Sequence, residues 1–389
     1  MNDTSPMLRR ILMTADTVGG VWTYALELTQ ALHRHGVQVV LATMGGPLSP
    51  SQCAEVQNIS GLSVFESPFK LEWMEDPWSD VARAGDWLLQ LEESVQPDVV
   101  HLNSYVYGAL SWRRPALVVG HSCVLSWWEA VKGEAAPDGW ARYRYEVARG
   151  LHAADLVLAP TRAMLAVLER HYGCFARSRA VPNGRNPALF PPTAKEPFIF
   201  AVGRLWDEAK NVAVLEKVAP SLAWPVYVAG EDRHPAGGQV RYRSVRELGR
   251  LSPPALAHWL ARAAIYALPA RYEPFGLSVL EAGLAGCALV LGDIPSLRET
   301  WDGAAAFVSP DDANALAATL KALSRDSSRL AELAARARTR ALEFTPQRML
   351  RGYLAAYREL LQARQPRRGR QELQPTVLGF SSMPPVVEG

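Results

Sequence analysis

Only four of the 389 residues are cysteine (Cys53, Cys123, Cys174 and Cys287), and none forms a CxxC pair or joins histidines at metal-ligand spacing. That scarcity excludes a disulfide-stapled scaffold and a structural zinc module, makes a reducing compartment the default, and leaves no metal site expected. A dominant charge is also lacking: 41 Lys and Arg stand against 39 Asp and Glu, a formal +2. Nucleic-acid binders usually carry a larger or clustered surplus, so no nucleic-acid partner is expected. No run approaches the ~20 apolar residues of a membrane span. Near the amino end, Ile11-Leu12-Met13 is too short an apolar core for a signal peptide. The expectation is a cytoplasmic protein, at most in peripheral contact with the inner membrane face. No GxGxxG follows the first strand candidate, which argues against a nicotinamide or flavin cofactor.

What is present is a globular composition, 49% hydrophobic and 21% charged. At roughly 100–200 residues per domain this length predicts two domains. Short apolar β-type runs alternate with longer amphipathic ones, the pattern of a parallel α/β sheet. The first series has strand candidates at Arg10 to Ala15, Val37 to Ala42, Leu62 to Glu66, Val99 to Leu102, Ala116 to Val119 and Leu156 to Ala159. The turn Val181-Pro182-Asn183-Gly184 and the proline-rich stretch Pro187 to Pro197 mark a boundary. A second series follows at Phe198 to Val202, Pro225 to Ala229, Ile265 to Leu268 and Ala288 to Leu291. Thr345-Pro346 opens a last helix with an apolar stripe through Met349, Leu350, Tyr353, Leu354, Tyr357, Leu360 and Leu361. The division expected is a first domain over 1–190, a second over 191–344, a helix over 345–361 and a tail, 362–389, with too little apolar periodicity to pack. Two sheets with facing carboxyl ends predict a ligand cleft between them.

The most informative segment is Arg271-Tyr272-Glu273-Pro274-Phe275-Gly276-Leu277-Ser278-Val279-Leu280-Glu281, which follows a strand candidate and opens a helix. Pro274 keeps Glu273 in the loop, and the amides of Phe275, Gly276 and Leu277 fall at a helix start that favours an anion. Gly276, without a Cβ, admits a ligand close to the backbone. Glu273 and Glu281 flanking an anion site are explained if each accepts hydrogen bonds from hydroxyls on either side of a diphosphate. Arg204 and Lys210 follow the first strand of the second series, where two cations would stabilise a developing diphosphate charge. By default Arg204 would instead pair with Glu208, and Lys210 would be solvated. Asp311-Asp312 reads as a helix cap and first turn rather than a metal pair.

This segment resembles the Glu, seven residues, Glu signature of family-4 glycosyltransferases, inside their Glu-Pro-Phe-Gly loop. Other pieces fall in that family's order: Gly19-Gly20 after the first strand, His121 after Ala116 to Val119, Val181-Pro182-Asn183-Gly184 at the boundary, and Gly203-Arg204-Leu205 with Lys210-Asn211. The resemblance covers about residues 10 to 361. It implies the GT-B architecture, two Rossmann-like α/β domains facing a cleft with the last helix crossing back to the first. It implies a retaining, metal-independent hexosyl-type transferase needing no cofactor beyond its nucleotide-sugar substrate, UDP-, GDP- or ADP-linked, and taking a carbohydrate, lipid or small-molecule acceptor. It implies that Glu273, Arg204, Lys210 and His121 carry catalysis, His121 touching the transferred sugar. Gly19, Gly20, Phe275, Gly276, Leu277, Glu281 and Arg250 would then bind the donor. Eight of the twelve tryptophans lie within the first 140 residues, and Trp127 and Trp128 are the acceptor-side candidates. Two other readings differ in what they predict: a silent nucleotide-sugar-binding subunit turns over no donor, and a sugar-nucleotide epimerase turns it over without an acceptor.

Overall fold

The computed structural model describes residues 8–233 and 237–363. Two parallel sheets account for its strands. The first contains β1 (Arg10–Asp16), β2 (Gln38–Met44), β3 (Leu62–Glu66), β4 (Val99–Leu102), β5 (Ala116–Val119), β6 (Leu156–Ala159) and β7 (Ser178–Ala180), in the order β3-β2-β1-β4-β5-β6-β7. The second contains β8 (Glu196–Val202), β9 (Val226–Ala229), β10 (Arg246–Glu247), β11 (Ala263–Leu268), β12 (Ala288–Gly292) and β13 (Ala306–Val308), in the order β10-β9-β8-β11-β12-β13. Each order reverses once, between β1 and β4 and between β8 and β11, and a crevice opens at such a point beyond the strand carboxyl ends.

The strands read as near-continuous apolar runs because helices cover both faces of each sheet. Alternate residues of β1 go to opposite layers: Ile11 and Met13 join one core cluster with Trp22, Tyr24 and Leu28, while Leu12 joins another with Leu88, Leu91 and Val147. β7, β10 and β13 escaped the sequence reading; each pairs along one edge only and is two or three residues long, too short to show a strand pattern.

The helix Pro346–Gln362 starts where expected, with the Thr345 side chain accepting from the Arg348 amide. It packs on the first sheet's layer, placing Met349, Leu350, Tyr353, Tyr357, Leu360 and Leu361 among Ile11, Met13 and Val119. It returns beside the outgoing connection: the Arg185 amide donates to the Phe344 carbonyl at 3.0 Å. A Cβ on Gly184 would stand 2.3 Å from the Thr345 carbonyl oxygen, so glycine is required for the two crossings to touch. Inside this layer His101 of β4 is hydrogen-bonded by Tyr24 Oη at 3.1 Å and Tyr357 Oη at 2.7 Å. The expected tail falls, beyond Ala363, outside the described residues. Among the described residues no helix is long and apolar enough to cross a membrane, and all four cysteines are free.

Candidate active site

The groups singled out in the second half converge at its switch point. After β8 the chain turns through Gly203 and Arg204 into a short helical turn, Glu208–Lys210; after β11 it runs through Arg271 and Glu273 to the helix Leu277–Leu284. The Arg271 amide donates to the Ala209 carbonyl at 2.9 Å, locking the two loops together. Asn211 reinforces this from a left-handed conformation (φ 56°), donating to the carbonyls of Pro269 and Pro310 and accepting from Arg271 at 2.7 Å. The result places Lys210 Nζ 2.6 Å from Glu273 Oε2. Lys210 is therefore paired rather than solvated.

Arg204 pairs with Asp207 at 2.7 Å rather than with Glu208, whose carboxylate goes to Lys132 of the first half. Its side chain stays 38% exposed, so the guanidinium retains donors for a ligand. Burial works against the Asp207 charge, yet Arg204 and then Lys210 hold its carboxyl below the ordinary range. Gly276 caps the helix Leu277–Leu284 at φ 85°, without a side-chain hydrogen bond, and a Cβ there would meet Val279 at 2.9 Å. Its amide end is thus open to an anion. Phe275 turns into the core against Phe344, and Leu277 packs between the two halves, so both could serve a donor through backbone only. Arg250 lies exposed just beyond β10, at the same carboxyl edge.

Glu281 departs from the expected diol-binding position. It is 6% exposed, and its Oε1 lies 2.8 Å from Arg185 Nε, while Arg185 Nη1 donates to Glu27 Oε2 at 2.7 Å. The helix face around it is wholly apolar, so a buried carboxylate there needs a countercharge, which the connection between the halves supplies. Burial pushes both Glu27 and Glu281 up, and Arg185 offsets only part of it.

In the first half, Gly19 caps the helix Gly20–His33 at φ 84° with no side chain in the way, and Gly20 stands opposite Leu277, 3.5 Å from where its Cβ would be. His121 lies beyond β5, half-buried against the Tyr24 ring. Its Nε2 is 2.8 Å from Asn103 Oδ1. Because Asn103 Nδ2 donates to the Thr14 carbonyl, Oδ1 must accept, so Nε2 carries the proton and Nδ1 keeps its lone pair. Burial lowers the His121 pKa to about 3, so the ring is neutral and a weak base. Trp127 is engaged differently from an open stacking platform: its indole donates to Asp207 Oδ1 across the cleft at 3.0 Å, and Trp128 meets it edge-on. A half-buried indole N–H needs an acceptor, and Asp207 provides one. Tyr272 makes a second tie, its Oη accepting from the Cys123 amide and from Ser126 Oγ at 2.9 Å each.

Asp207, Arg185 and Asn103 were not singled out by the sequence, and Asn211 only as the neighbour of Lys210; each acts on a residue that was, through a contact only the tertiary fold creates. Among the described residues, no three His, Cys, Asp or Glu side chains gather as metal ligands.

Two parallel-sheet α/β halves, a cation pair at one switch point and open helix starts on both sides define the GT-B type of architecture. Residues 18–189 match the family model described as Glycosyltransferase Family 4 and residues 196–326 that of Glycosyl transferases group 1. The chain belongs to this family-4, group 1 class of glycosyltransferases. It is similar to a D-inositol 3-phosphate glycosyltransferase of Xylanimonas cellulosilytica, 28% identical over 375 residues covering 84% of this chain and 88% of the relative. It is also similar to a glycogen synthase of Mycobacterium tuberculosis, 25% identical over 365 residues, 83% of this chain and 86% of the relative. Its fold superposes on sucrose-phosphate synthase from Thermosynechococcus elongatus with a TM-score of 0.79, at 20% identity over 92% of this chain and 100% of that one. Anabaena Alr3699/HepE, solved with UDP and glucose, superposes at 0.71, with 16% identity over 90% of this chain and 99% of that one. These two likenesses show the GT-B fold.

Proposed function

We propose that this glycosyltransferase moves a hexosyl group from a nucleoside diphosphate sugar to an acceptor hydroxyl with retention of anomeric configuration, and that it needs neither a divalent metal nor another cofactor. The observation that carries the reading is the pairing of Lys210 with Glu273, beside Arg204 and the open helix start at Gly276. As the anomeric C–O bond breaks, the departing diphosphate gains charge, and Arg204, Lys210 and the helix amides stabilise it more than the intact donor. The new C–O bond forms on the same face, and the acceptor proton passes to the leaving diphosphate oxygen. An inverting reaction would need a base on the opposite face. His121 is the candidate, and a ring with a pKa lowered to about 3 is poorly matched to that work. Its Nδ1 lone pair suits a hydrogen bond from a sugar hydroxyl instead. Glu273 orients the sugar, and Glu281, held by Arg185, secures the helix that presents Gly276.

Thermal shift against UDP, GDP, ADP and TDP identifies the nucleotide, since selective binding raises the melting temperature. UDP-glucose is the first donor to test, being the compound with which HepE was also solved. Proton NMR of the product's anomeric coupling then decides: retention in the presence of EDTA, with Glu273→Gln more damaged than His121→Ala, is the expected result. An inverted centre would overturn the mechanism and make His121 the base.

A further inference from the structure

The segment Tyr272-Glu273-Pro274 is held residue by residue, and two of its three anchors come from the first half. Tyr272 Oη accepts from the Cys123 amide and from Ser126 Oγ, at 2.9 Å each. The Glu273 carbonyl accepts from Ser296 Oγ at 2.5 Å, at the start of the helix Pro295–Trp301. The Pro274 carbonyl accepts from Thr161 Oγ1 at 3.0 Å. Thr161 opens the helix Arg162–Tyr172 of the first half, whose Arg162 and Ala163 amides donate to Glu299 at 2.9 and 2.8 Å. Ser296 and Glu299 share one helix: the first holds the loop, and the second holds the helix start that also grips it.

The Tyr272 contact completes a helix start that its own half leaves unfinished. The helix Val124–Lys132 begins at Cys123 without a cap from that side chain, and a helix start carries backbone donors in need of acceptors. Tyr143 Oη accepts from the Val124 amide at 3.4 Å, and Tyr272 reaches in from the second half to accept from Cys123. The turn it meets is firm. Cys123 is 1% and Ser126 3% exposed, and Tyr105 Oη donates to the Ser122 carbonyl at 2.6 Å. Among the other ties across the cleft, Lys132 and Glu208 are 33% and 60% exposed, and exposed ion pairs fix position weakly. A tyrosine has only two side-chain torsions, and parting it from the buried Cys123 amide leaves that donor unsatisfied. Its contact therefore tolerates little drift.

Resting on the glycosyl-transfer reading above, we propose that Tyr272 is a positioning residue whose hydroxyl sets the separation of Glu273 from His121 across the cleft. Tyr272 is joined to Glu273 by the chain and bonded at a point two residues beyond His121. Thr161 steadies the next residue of the same loop. Each of the two sugar-facing groups is already oriented within its own half, Glu273 by Lys210 and His121 by Asn103. What neither half fixes alone is the distance between them, and that is what the tyrosine supplies. Nucleotide binding, by contrast, falls to Arg204, Lys210 and the helix start at Gly276, all in the second half. A misplacement of about 1 Å between reacting groups costs on the order of a hundredfold in rate.

The donor reading is tested first, by thermal shift of the unaltered protein with UDP, GDP, ADP and TDP, so its failure is not confused with failure here. The nucleoside diphosphate glucose so selected is then turned over with water as acceptor, and release of the nucleoside diphosphate is timed. Tyr272→Phe should lower kcat about ten- to a hundredfold while the Kd of the nucleotide changes less than about twofold. A role confined to stability would lower the melting temperature and leave kcat unchanged below it. Ser126→Ala should lower kcat less, and the double variant should be no slower than Tyr272→Phe alone, because Ser126 acts through the same oxygen. Should Tyr272→Phe fail to fold, Thr161→Val carries the test, with the same split between kcat and Kd. A kcat within about twofold of the parent, losses that multiply in the double variant, or a Kd that rises in step with the fall in kcat overturns the proposal. If the parent neither binds nor releases a nucleotide, the donor reading fails and hydrogen exchange decides instead. Peptides containing Cys123 and Arg162-Ala163 should then lose protection together in Tyr272→Phe, and unchanged protection overturns the proposal.

Discussion

At the carboxyl edge of the second sheet the charged groups are already paired: Lys210 with Glu273, Arg204 with Asp207, Arg271 with Asp311. At the same edge of the first sheet the groups are neutral or acidic, and Asp16, Glu72 and Tyr107 each keep a buried oxygen without a partner. Two sheets with one strand logic thus present opposite chemistry to a shared seam. Topology decides where a ligand lies, and the loop residues decide which ligand. Cations held in place suit an anionic ligand whose charge changes during reaction, whereas oxygens closed off from solvent do not meet one.

The largest test removes what fastens one half to the other. Ending the chain before Thr345 strips Met349, Leu350, Tyr353, Tyr357, Leu360 and Leu361 from the first sheet's core. At about 1.5–3 kcal/mol per large buried side chain, the loss is on the order of 10 kcal/mol, comparable with a domain's whole stability. No folded, soluble first half is expected, whereas ending the chain after Ala363 should leave yield and melting temperature nearly intact. Equal yields of the two would show that the helix is dispensable.

Next in size is the cationic edge itself. Lys210→Ala and Arg204→Ala should each raise the reaction barrier by about 2–4 kcal/mol, a loss of roughly 30- to 1,000-fold in kcat. Melting temperatures measured alongside separate this from unfolding. Near-parental turnover in both variants would remove the diphosphate role from the second sheet and level the contrast between the edges.

The smallest effect concerns His101 in the layer beneath the first edge. Burial, and then the neighbouring His121, lower its pKa from 6.5 to about 3. Between those values the unfolded chain takes up a proton that the folded one does not, so stability falls as pH is lowered through the window. At pH 5 this group alone costs about 2 kcal/mol relative to pH 7. In urea unfolding, His101→Gln should therefore close on the parent by about that amount between pH 7 and pH 5. Parallel curves would mean that His101 is protonated in the fold.

Much of this arrangement was legible beforehand. Strands such as Ala116–Val119 and Leu156–Ala159 are buried on both faces, so their residues are uniformly apolar and their limits could be read directly. Pro274 and Gly276 fixed that Glu273 stays in the loop and where the helix must begin, because each residue constrains the backbone by itself. Pairings were not legible. Arg204 had Glu208 as nearly as Asp207 in sequence, and the choice fell to Asp207 because Lys132, far away in the chain, claims Glu208. Glu281 looked like a ligand group because its countercharge, Arg185, lies 96 residues earlier in a connection with no helical or strand period. Glu72 and Tyr107 carried no motif at all; what singles them out is an oxygen left unpaired in the interior.

Arg185 has a mechanical meaning as well. The two helices that open toward the cleft, Gly20–His33 and Leu277–Leu284, each contribute a carboxylate to this one planar group, at 2.7 and 2.8 Å. The guanidinium is therefore a rivet at the root of a pair of tongs, beside the touching crossings at Gly184 and Thr345. Rotation about a rivet displaces each point in proportion to its distance from it. Withdrawing the rivet would separate both carboxylates from their shared charge, whereas parting the tips breaks neutral or exposed ties such as Lys132–Glu208, Trp127–Asp207 and those of Tyr272 to Cys123 and Ser126. The jaws can gape at the rim for substrates to enter while the spacing between the two helix starts stays nearly fixed.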